Sequence, residues 1–237
     1  MTLSSTPAKS SPAPAPRIRT MLDAPLAYEP VWRDMQAFTD AAGPDTPDEF
    51  WFLAHEPVFT QGTNGRPEHV LAPGNIPIVP SDRGGQVTYH GPGQLMGYVL
   101  ADVRRLGMGI RSLVEGLELA VIDTLDGYGI TARARRDAPG VYVPAAGDAK
   151  IASLGLRVRR GRCYHGLALN VDLDLEPFGR INPCGYQGLA MTRIADLAAP
   201  ISLDRVAADL APAICRRLRL PRPAANEHRF APAPAMG

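Results

Sequence analysis

The stretch "KIASLGLRVRRGRCYHGLALNV", residues 150–171, predicts two successive β-strands. Side chains along a strand point alternately to its two faces. In the first strand, one face carries Lys150, Ala152, Leu154, Leu156 and Val158, and the other carries Ile151, Ser153, Gly155, Arg157 and Arg159. In the second strand, His165, Leu167, Leu169 and Val171 share one face, opposite Gly166, Ala168 and Asn170. Each strand therefore has one face made mainly of apolar side chains.

The elements on either side of this pair indicate a mixed architecture. Further strands are predicted in residues 49–62, 84–102 and 140–144, which are rich in aromatic and β-branched residues and bounded by turn residues. Helical spacing predicts a helix over residues 109–127, with one face made of Ile110, Leu113, Val114, Leu117, Val121 and Leu125. A second helix, residues 202–219, follows from Val206, Leu210, Ile214 and Leu218. The mixture predicts a single domain of the α/β or α+β class.

Composition separates the two ends of the chain from its middle. Residues 1–20 are rich in Pro, Ala and Ser and predict a disordered tail, and residues 221–237 predict a flexible one, so the folded domain is expected to span residues 21–220. The first 20 residues lack the apolar centre of a signal peptide, and no apolar run approaches the roughly 18 residues that span a bilayer, so a cytoplasmic protein is expected. A net charge of +1 gives no reason to expect a nucleic-acid or membrane partner.

Lysine is almost absent from this chain. Of 25 lysines and arginines, only Lys9 and Lys150 are lysines. Lys9 lies in the predicted tail, whereas Lys150 begins a strand and shares a face with apolar residues under strict alternation. A lysine is hard to replace by arginine where its nitrogen must lose and regain a proton. Lys150 is therefore a candidate acid–base residue, and a structural lysine whose ammonium reaches out to solvent is the alternative.

Two further motifs contain residues that suit a binding site. In "RGGQVTYHGPGQ", residues 83–94, two glycines allow close approach of a ligand and Arg83 offers a planar donor. The alternative is a Gly-rich hairpin whose His90 is a hydrogen-bonded core residue. In "HGLALNV", residues 165–171, Gly166 and Ala168 could form the floor of a slot for an alkyl chain or allow another element to pack closely.

The cysteines differ in their surroundings. Cys184 lies in the turn "INPCGYQG", residues 181–188, while Cys215 lies among apolar residues of a predicted helix. Three cysteines without CxxC spacing do not suggest a disulfide framework. A cysteine on a turn is a candidate nucleophile, with His90 or His165 as possible base, or it is an incidental loop thiol. Cys163 and His165 are two residues apart and could begin a metal site, but no nearby residues supply the remaining ligands of a four-ligand set, so no metal is expected.

Together "RGGQVTYHGPGQ", "GVYV…KIASLGLRV", "HGLALNV" and "INPCG" resemble the lipoyl (octanoyl) transferases. The resemblance runs from about His55 to about Arg193, and departs from the family where Thr192-Arg193 stands in place of Thr-Ser. It implies a fold like the catalytic domain of biotin and lipoate protein ligases, a mixed sheet flanked by helices. It also implies that residues 21–220 are an octanoyltransferase catalytic domain.

The resemblance implies a reaction and its partners. An octanoyl group would move from octanoyl-acyl carrier protein to a lysine ε-amino group of lipoyl domains, which belong to 2-oxoacid dehydrogenase complexes and the glycine cleavage H protein. Cys184 would hold the acyl group as a thioester, with Lys150 as its acid–base partner. The implied substrate-binding residues are Arg83, Gly84, Gly85, Gln86, Val87, Thr88, Tyr89, His90, Ser153, Leu154, Gly155, Gly166, Leu167 and Ala168.

No cofactor is expected, because the phosphopantetheine of the carrier protein delivers the acyl group. A monomer is the simplest expectation, and Arg133, Arg135 and Arg136 are candidates for docking the acidic carrier protein, unless they form only a solvated basic turn. Three other functions use the same residues or fold. They are an ATP-dependent lipoate–protein ligase, a non-catalytic acyl-protein binding module and a cysteine thioesterase that releases the acyl group to water.

Overall fold

The computed structural model describes residues 14–223 of the chain. It contains ten strands, β1 (Arg17–Leu26), β2 (Glu49–His55), β3 (Val58–Gln61), β4 (Ile78–Pro80), β5 (Val87–His90), β6 (Gln94–Asp102), β7 (Arg133–Ala134), β8 (Val141–Val143), β9 (Ala149–Arg159) and β10 (Arg162–Asn170). Its α-helices are α1 (Tyr28–Ala41), α2 (Val103–Leu106), α3 (Ile110–Asp126) and α4 (Leu203–Arg217). Short 3₁₀ turns connect several of these elements.

Seven strands form the main sheet, in the order β1-β2-β6-β10-β9-β8-β7. The predicted strand pair is its centre, because β9 and β10 are antiparallel partners over eight residue pairs, from Arg159↔Arg162 to Ala152↔Leu169. Only β1 and β2 run parallel in this sheet; its other neighbours are antiparallel. The predicted mixed sheet flanked by helices is therefore confirmed.

The two faces of the main sheet bury different sets of side chains. One face packs on α3 and α4, and its core contains Phe50, Phe52, Leu95, Val99, Leu167 and Leu169 with Leu113, Leu117, Val121, Leu210 and Ile214 from the helices. The opposite face packs on α1, with Trp51, Leu53, Met96, Tyr98, Tyr164 and Ala168 against Val31 and Met35. The period-two pattern of β2 and β10 divides its residues between these cores. Both predicted helices are confirmed, with bounds within a residue or two.

A second sheet stands beside the first and was not apparent in the sequence. It has the order β4-β3-β5, with β3 parallel to β4 and antiparallel to β5. The predicted segment 49–62 divides at Glu56-Pro57 into β2 of the large sheet and β3 of the small one. Likewise β5 and β6 are in different sheets, so the turn at residues 91–93 carries the chain from one sheet to the other. The two sheets meet at these two connections, Glu56-Pro57 and residues 91–93.

The N-terminal boundary of the domain needs correction. Strand β1 begins at Arg17 and pairs with Glu49 of β2, so Arg17–Thr20 belong to the sheet and not to a tail. Most of β1 is only partly buried, and this edge position explains why its apolar signal is weak. Residues 14–16 are described without regular secondary structure, and residues 1–13 of the predicted N-terminal tail lie outside the described residues, as does most of the predicted C-terminal tail, residues 224–237. Residues 221–223 are described without regular secondary structure.

Close packing at the centre of the main sheet gives a stability prediction. A Cβ atom added at Gly166 of β10 would lie 2.0 Å from the carbonyl oxygen of Gly97 on β6, so the backbones of two central strands would have to separate. We expect Gly166→Ala to reduce the free energy of unfolding by about 2 kcal/mol or more, as overpacked cores do. Urea denaturation of the variant and the wild-type protein measures this change in the free energy of unfolding.

The matched control is Gly43→Ala, where the added Cβ meets no atom within 4 Å. Its free energy of unfolding should stay within about 0.5 kcal/mol of the wild-type value. Equal stability of the two variants would contradict the described packing of β10 on β6.

Candidate active site

A cavity lies at the junction of the two sheets. It is bounded by β6, β9 and β10 of the large sheet, by β5 and the loop before it, and by one residue of the turn at 183–185. Its lining residues are Tyr28, Arg83, Gly85, Gln86, Thr88, His90, Met96, Tyr98, Ser153, Leu154, Gly155, His165, Gly166, Leu167, Ala168 and Cys184. The lining combines an apolar surface with a few polar groups, as small-molecule sites do.

Cys184 is the cysteine among the residues that line this cavity. It sits in a 3₁₀ turn, Pro183–Gly185, and has φ 55° and ψ 19°, in the left-handed region that a residue with a Cβ atom rarely adopts. Such a conformation costs of order 1–2 kcal/mol and is found in folded proteins mainly at functional sites. The turn is closed by a hydrogen bond from the Gly185 N–H to the Asn182 carbonyl, 2.9 Å. It leaves the thiol half-buried at the cavity.

The other two cysteines are of a different kind. Cys163 and Cys215 are buried in the core that α3 and α4 form with the main sheet. Burial raises the pKa of Cys163 to about 12 and that of Cys215 to about 11. Both are therefore thiols at neutral pH and unreactive as nucleophiles. The sequence-based distinction between a turn cysteine and core cysteines is thus reproduced in the structure.

Lys150 lies against Cys184. Its Nζ donates to the Cys184 Sγ at 3.2 Å and to the Pro139 carbonyl at 2.9 Å, and it stands 5.4 Å from the centre of the Tyr142 ring. The side chain is 1% exposed. These hydrogen bonds, within residues 14–223, are accepted by a carbonyl and a thiol and not by a carboxylate. The nitrogen is therefore placed to exchange a proton with the thiol.

The face assigned to Lys150 by strict alternation is wrong. Val141 of β8 pairs with Ala152, while its neighbour Tyr142 pairs with Lys150, so Ile151 is an extra residue in the ladder. Ile151 and Ala152 both pack in the core under α3 and α4. This β-bulge turns Lys150 to the opposite side of the sheet, toward the cavity.

Two neighbours of Lys150 hold it in place. Gly140 has φ 142° and approaches so closely that a Cβ atom there would lie 2.3 Å from the lysine Cε. The Gly140 N–H donates to the buried Glu118 carboxylate of α3 at 2.7 Å, which fixes the segment that contains the Pro139 carbonyl. Burial raises the pKa of Glu118, and the hydrogen bond from Gly140 and the charge of Lys150 oppose that rise.

Arg83 supplies a second buried cation beside the cavity. Its guanidinium donates to the Thr60 carbonyl at 2.6 Å, to the Gln86 carbonyl at 2.7 Å, to the Thr60 hydroxyl at 2.8 Å and to the Gly84 carbonyl at 2.9 Å. Burial lowers the pKa of Arg83, and a negative charge on Tyr28 or Cys184 would raise it. In the described part of the chain its acceptors are neutral, so its positive charge favours an anion in the cavity.

His165, a buried residue of the cavity lining, pairs with the partly exposed Asp82. His165 has φ 61°, and this left-handed backbone turns its ring away from the face of Leu167 and Leu169 that strict alternation assigned to it. Its Nε2 lies 2.8 Å from Asp82 Oδ1, and the same carboxylate accepts from the Tyr164 hydroxyl, the Trp32 indole and the Gln36 amide. Burial raises the pKa of Asp82, but hydrogen bonds from His165 and Tyr164 outweigh it and hold that pKa well below its usual range.

His90 has a structural environment. Its Nε2 contacts the Thr60 hydroxyl at 3.1 Å and its Nδ1 contacts the Gln94 side-chain oxygen at 2.8 Å. Burial lowers the pKa of His90 well below its usual value. Since both ring nitrogens are occupied, the Cys–His pairing with His90 that the sequence left open is not the one observed.

The structure brings most of the expected substrate-binding residues to one place. Eleven of them line the cavity, namely Arg83, Gly85, Gln86, Thr88, His90, Ser153, Leu154, Gly155, Gly166, Leu167 and Ala168. Three do not: Gly84 donates its N–H to the Leu156 carbonyl, while Val87 and Tyr89 point into the core of the small sheet. Sequence reasoning missed the lining residues Tyr28, from α1, and Met96 and Tyr98, from β6.

The arginines near residue 135 do not form a free basic cluster. Arg133 and Arg135 both bind Asp148, at 2.8 and 3.3 Å, and Arg135 also binds Asp137 at 2.7 Å. Arg136 is exposed. Within residues 14–223, no helix is long and apolar enough to cross a membrane, and no group of three or more His, Cys, Asp or Glu side chains could hold a metal ion.

Comparisons with known proteins identify the family of this chain. The family model described as "Lipoyl protein ligase A/B catalytic domain" matches residues 27–215. An octanoyltransferase of Hahella chejuensis is 66% identical over 182 residues, which cover 77% of this chain and 80% of the relative. An octanoyltransferase of Pseudomonas fluorescens is 60% identical over 193 residues, which cover 81% of this chain and 88% of the relative.

Solved structures share the fold. Lipoate-protein ligase A bound with ATP superposes with a TM-score of 0.68 at 17% identity, covering 89% of this chain and 88% of the other. The bi-partite lipoate protein ligase of Thermoplasma acidophilum gives 0.68 at 18% identity, covering 90% and 88%. The chain therefore belongs to the lipoyl protein ligase A/B catalytic domain family and, within it, to the octanoyltransferases, which are acyltransferase enzymes.

Proposed function

We propose that this enzyme transfers an octanoyl group from octanoyl-acyl carrier protein to a lysine ε-amino group of a lipoyl domain, through a thioester on Cys184. The observation that carries the proposal is the contact of 3.2 Å between Lys150 Nζ and Cys184 Sγ at the cavity. The acceptors would be the lipoyl domains of 2-oxoacid dehydrogenase complexes and the glycine cleavage H protein. The expectations of a monomer and of a cytoplasmic location stay predictions.

In the first half-reaction, Lys150 takes the thiol proton and the Cys184 thiolate attacks the octanoyl thioester. The carbonyl carbon forms a bond to Sγ and loses its bond to the phosphopantetheine sulfur. That sulfur leaves as a thiolate and takes the proton from the Lys150 ammonium. Arg83, whose charge has only neutral acceptors, favours the negative charge that develops in the cavity.

In the second half-reaction, the lysine amine of the lipoyl domain attacks the acyl-enzyme. The new C–N bond replaces the C–S bond, and Cys184 leaves as a thiolate. The proton lost by the attacking nitrogen returns to Lys150, whose ammonium again pairs with the thiolate. One lysine thus serves as acid in the first half and as base in the second, which an arginine could not do.

This mechanism uses the energy of the donor thioester and therefore requires neither ATP nor another cofactor. The ligase alternative activates a free acid as an adenylate, and an adenylate mechanism has no role for a cysteine on a strained turn beside a buried lysine. The identity of 60–66% to octanoyltransferases also favours transfer. The low identity of the ligase structures limits their support to the fold. A binding module would leave both side chains without a function.

The acyl-enzyme is the first prediction of this proposal. When the protein is mixed with octanoyl-acyl carrier protein without ATP, intact-mass spectrometry should detect one octanoyl adduct that hydroxylamine removes and a lipoyl domain discharges. Cys184→Ser should form no such adduct, because a hydroxyl beside Lys150 is a much weaker nucleophile. Cys215→Ala is the matched control, because Cys215 is a buried residue of α4, and this variant should acylate normally.

Different results would favour different enzymes. Adduct formation that requires ATP would support a ligase. Binding of the carrier protein without an adduct would support a binding module. Discharge at the same rate with and without a lipoyl domain would support a thioesterase.

The proton-transfer role of Lys150 gives the second prediction. Lys150→Arg keeps the charge beside Cys184, but a guanidinium does not give up its proton at neutral pH, so turnover should fall about 100-fold or more. Lys150→Met, which is apolar and similar in length, should lose at least as much. Thermal melting controls for folding, because the lysine is buried. A folded Lys150→Arg variant with wild-type turnover would contradict the proposal.

A further inference from the structure

The Nδ1 atom of His165 is a buried polar group for which the mechanism so far has no use. His165 lines the cavity and is 1% exposed, and its Nδ1 is buried without a hydrogen-bond partner in the described part of the chain. A buried polar atom left unpaired loses its hydrogen bonds to water without replacement, which destabilises the folded state. Such an atom at the wall of a substrate cavity is best explained by a ligand group that pairs with it.

Asp82 determines which chemical group Nδ1 can bind. The carboxylate accepts three further hydrogen bonds, from Trp32, Gln36 and Tyr164. Burial raises the pKa of Asp82, but the hydrogen bonds from His165 and Tyr164 outweigh it and keep the carboxylate ionised. Its Oδ1 atom, 2.8 Å from His165 Nε2, therefore accepts the N–H of that ring nitrogen. In neutral imidazole the other nitrogen then carries the lone pair. Nδ1 is thus a proton acceptor and requires a donor from the ligand.

The environment of His165 keeps the ring neutral when the cavity is free. Burial lowers the pKa of His165, and the positive charges of Arg83 and Arg157 lower it further, against the opposing effect of Asp82. The titratable and charged groups that face the ring from the surrounding elements are Asp82, Arg83, His90, Tyr98, Arg157 and Tyr164. A neutral imidazole held by a carboxylate is the arrangement of a general base.

The second half-reaction contains a proton that Lys150 does not remove. A lysine side chain has a pKa of about 10.4 in water, so the acceptor reaches the site as an ammonium and cannot attack until it is deprotonated. It loses a second proton after the C–N bond has formed. Lys150 takes that second proton in the mechanism above, and its Nζ is engaged by Pro139 and Cys184.

We propose that His165, oriented by Asp82, is the base that deprotonates the acceptor lysine ammonium before it attacks the acyl-enzyme. The step rests on the proposed function. The ammonium N–H bond breaks, its proton moves to Nδ1, and the electron pair that remains on nitrogen forms the C–N bond with the thioester carbon. The imidazolium later releases its proton to solvent. His165 and Lys150 thus each receive one of the two protons.

A second cavity group supports an ammonium or amine as the ligand. The Oε1 atom of Gln86 is also buried without a partner in residues 14–223, and Gln86 lines the same cavity next to the Cys184 turn. Nδ1 of a neutral histidine and the oxygen of an amide are both acceptors. A lysine ε-nitrogen has several N–H donors, which suits a cavity with unpaired acceptors.

The test separates the two half-reactions. Wild-type enzyme and His165→Asn are each converted to the octanoyl-enzyme, and its discharge is followed by intact mass with a lipoyl domain or with hydroxylamine. Asparagine tolerates the left-handed backbone of position 165, so the substitution removes the base with little strain. Asp82→Asn is a second variant, which leaves the imidazole in place but removes the carboxylate that fixes its tautomer.

We expect both variants to form the octanoyl-enzyme, which shows that they fold and provides the starting material from which discharge is measured. Discharge to the lipoyl domain at pH 7 should fall about 100-fold in His165→Asn, the range for loss of a general base. Hydroxylamine, which is neutral at pH 7 and needs no deprotonation, should discharge the octanoyl-enzymes of wild type and of His165→Asn at equal rates. The deficit with the lipoyl domain should shrink as the pH rises toward the pKa of lysine, about 10.4.

Wild-type discharge to the lipoyl domain in His165→Asn would overturn the inference and leave the proposed function intact. An equal loss with hydroxylamine and with the lipoyl domain, or a deficit that does not change with pH, would also overturn it, because it would indicate a structural role. Absence of any octanoyl adduct on the wild-type enzyme is a different result, and it would reject the proposed function itself.

Discussion

The burial of Lys150 beside Cys184 is the constraint that organises this site. An ammonium with 1% exposure and no carboxylate among its hydrogen-bond acceptors is costly, and it is retained only where its environment compensates for the lost water. The Pro139 carbonyl, the Tyr142 ring and the cysteine sulfur provide that compensation. A thiolate on Cys184 would compensate best, so in the proposed mechanism the buried ammonium and the thiolate stabilise each other.

Several backbone features that are individually unfavourable serve this arrangement. A β-bulge at Ile151 turns Lys150 toward the cavity, and left-handed backbone at Cys184 and His165 presents those two side chains to it. The cost of such conformations is met by the two well-packed cores on either side of the main sheet. The site therefore lies where regular strand geometry is interrupted, at the junction of the large and small sheets.

The extent to which the sequence predicted this structure follows from the kind of signal at each position. Helices α3 and α4 were predictable, because each buries one continuous apolar face. Cys184 stood out because it lies in a turn, and Lys150 because lysine is rare in this chain. The glycine-rich stretch, residues 83–94, stood out by its composition, and several of its residues line the same cavity as Cys184. The faces of Lys150 and His165 were assigned wrongly, because a bulge and a left-handed residue leave no mark on a period-two pattern. Tyr28, Met96 and Tyr98 were missed, since only the tertiary fold brings them to the cavity.

The most direct test of the central claim needs no substrate. The rate at which iodoacetamide alkylates each cysteine at pH 7 can be followed by mass spectrometry in the wild-type protein and in Lys150→Met. If Lys150 activates the thiol, Cys184 should react selectively and its rate should fall markedly in the variant, while Cys163 and Cys215, whose pKa values burial raises to about 12 and about 11, stay unmodified in both. Equal alkylation of Cys184 with and without Lys150 would contradict the account.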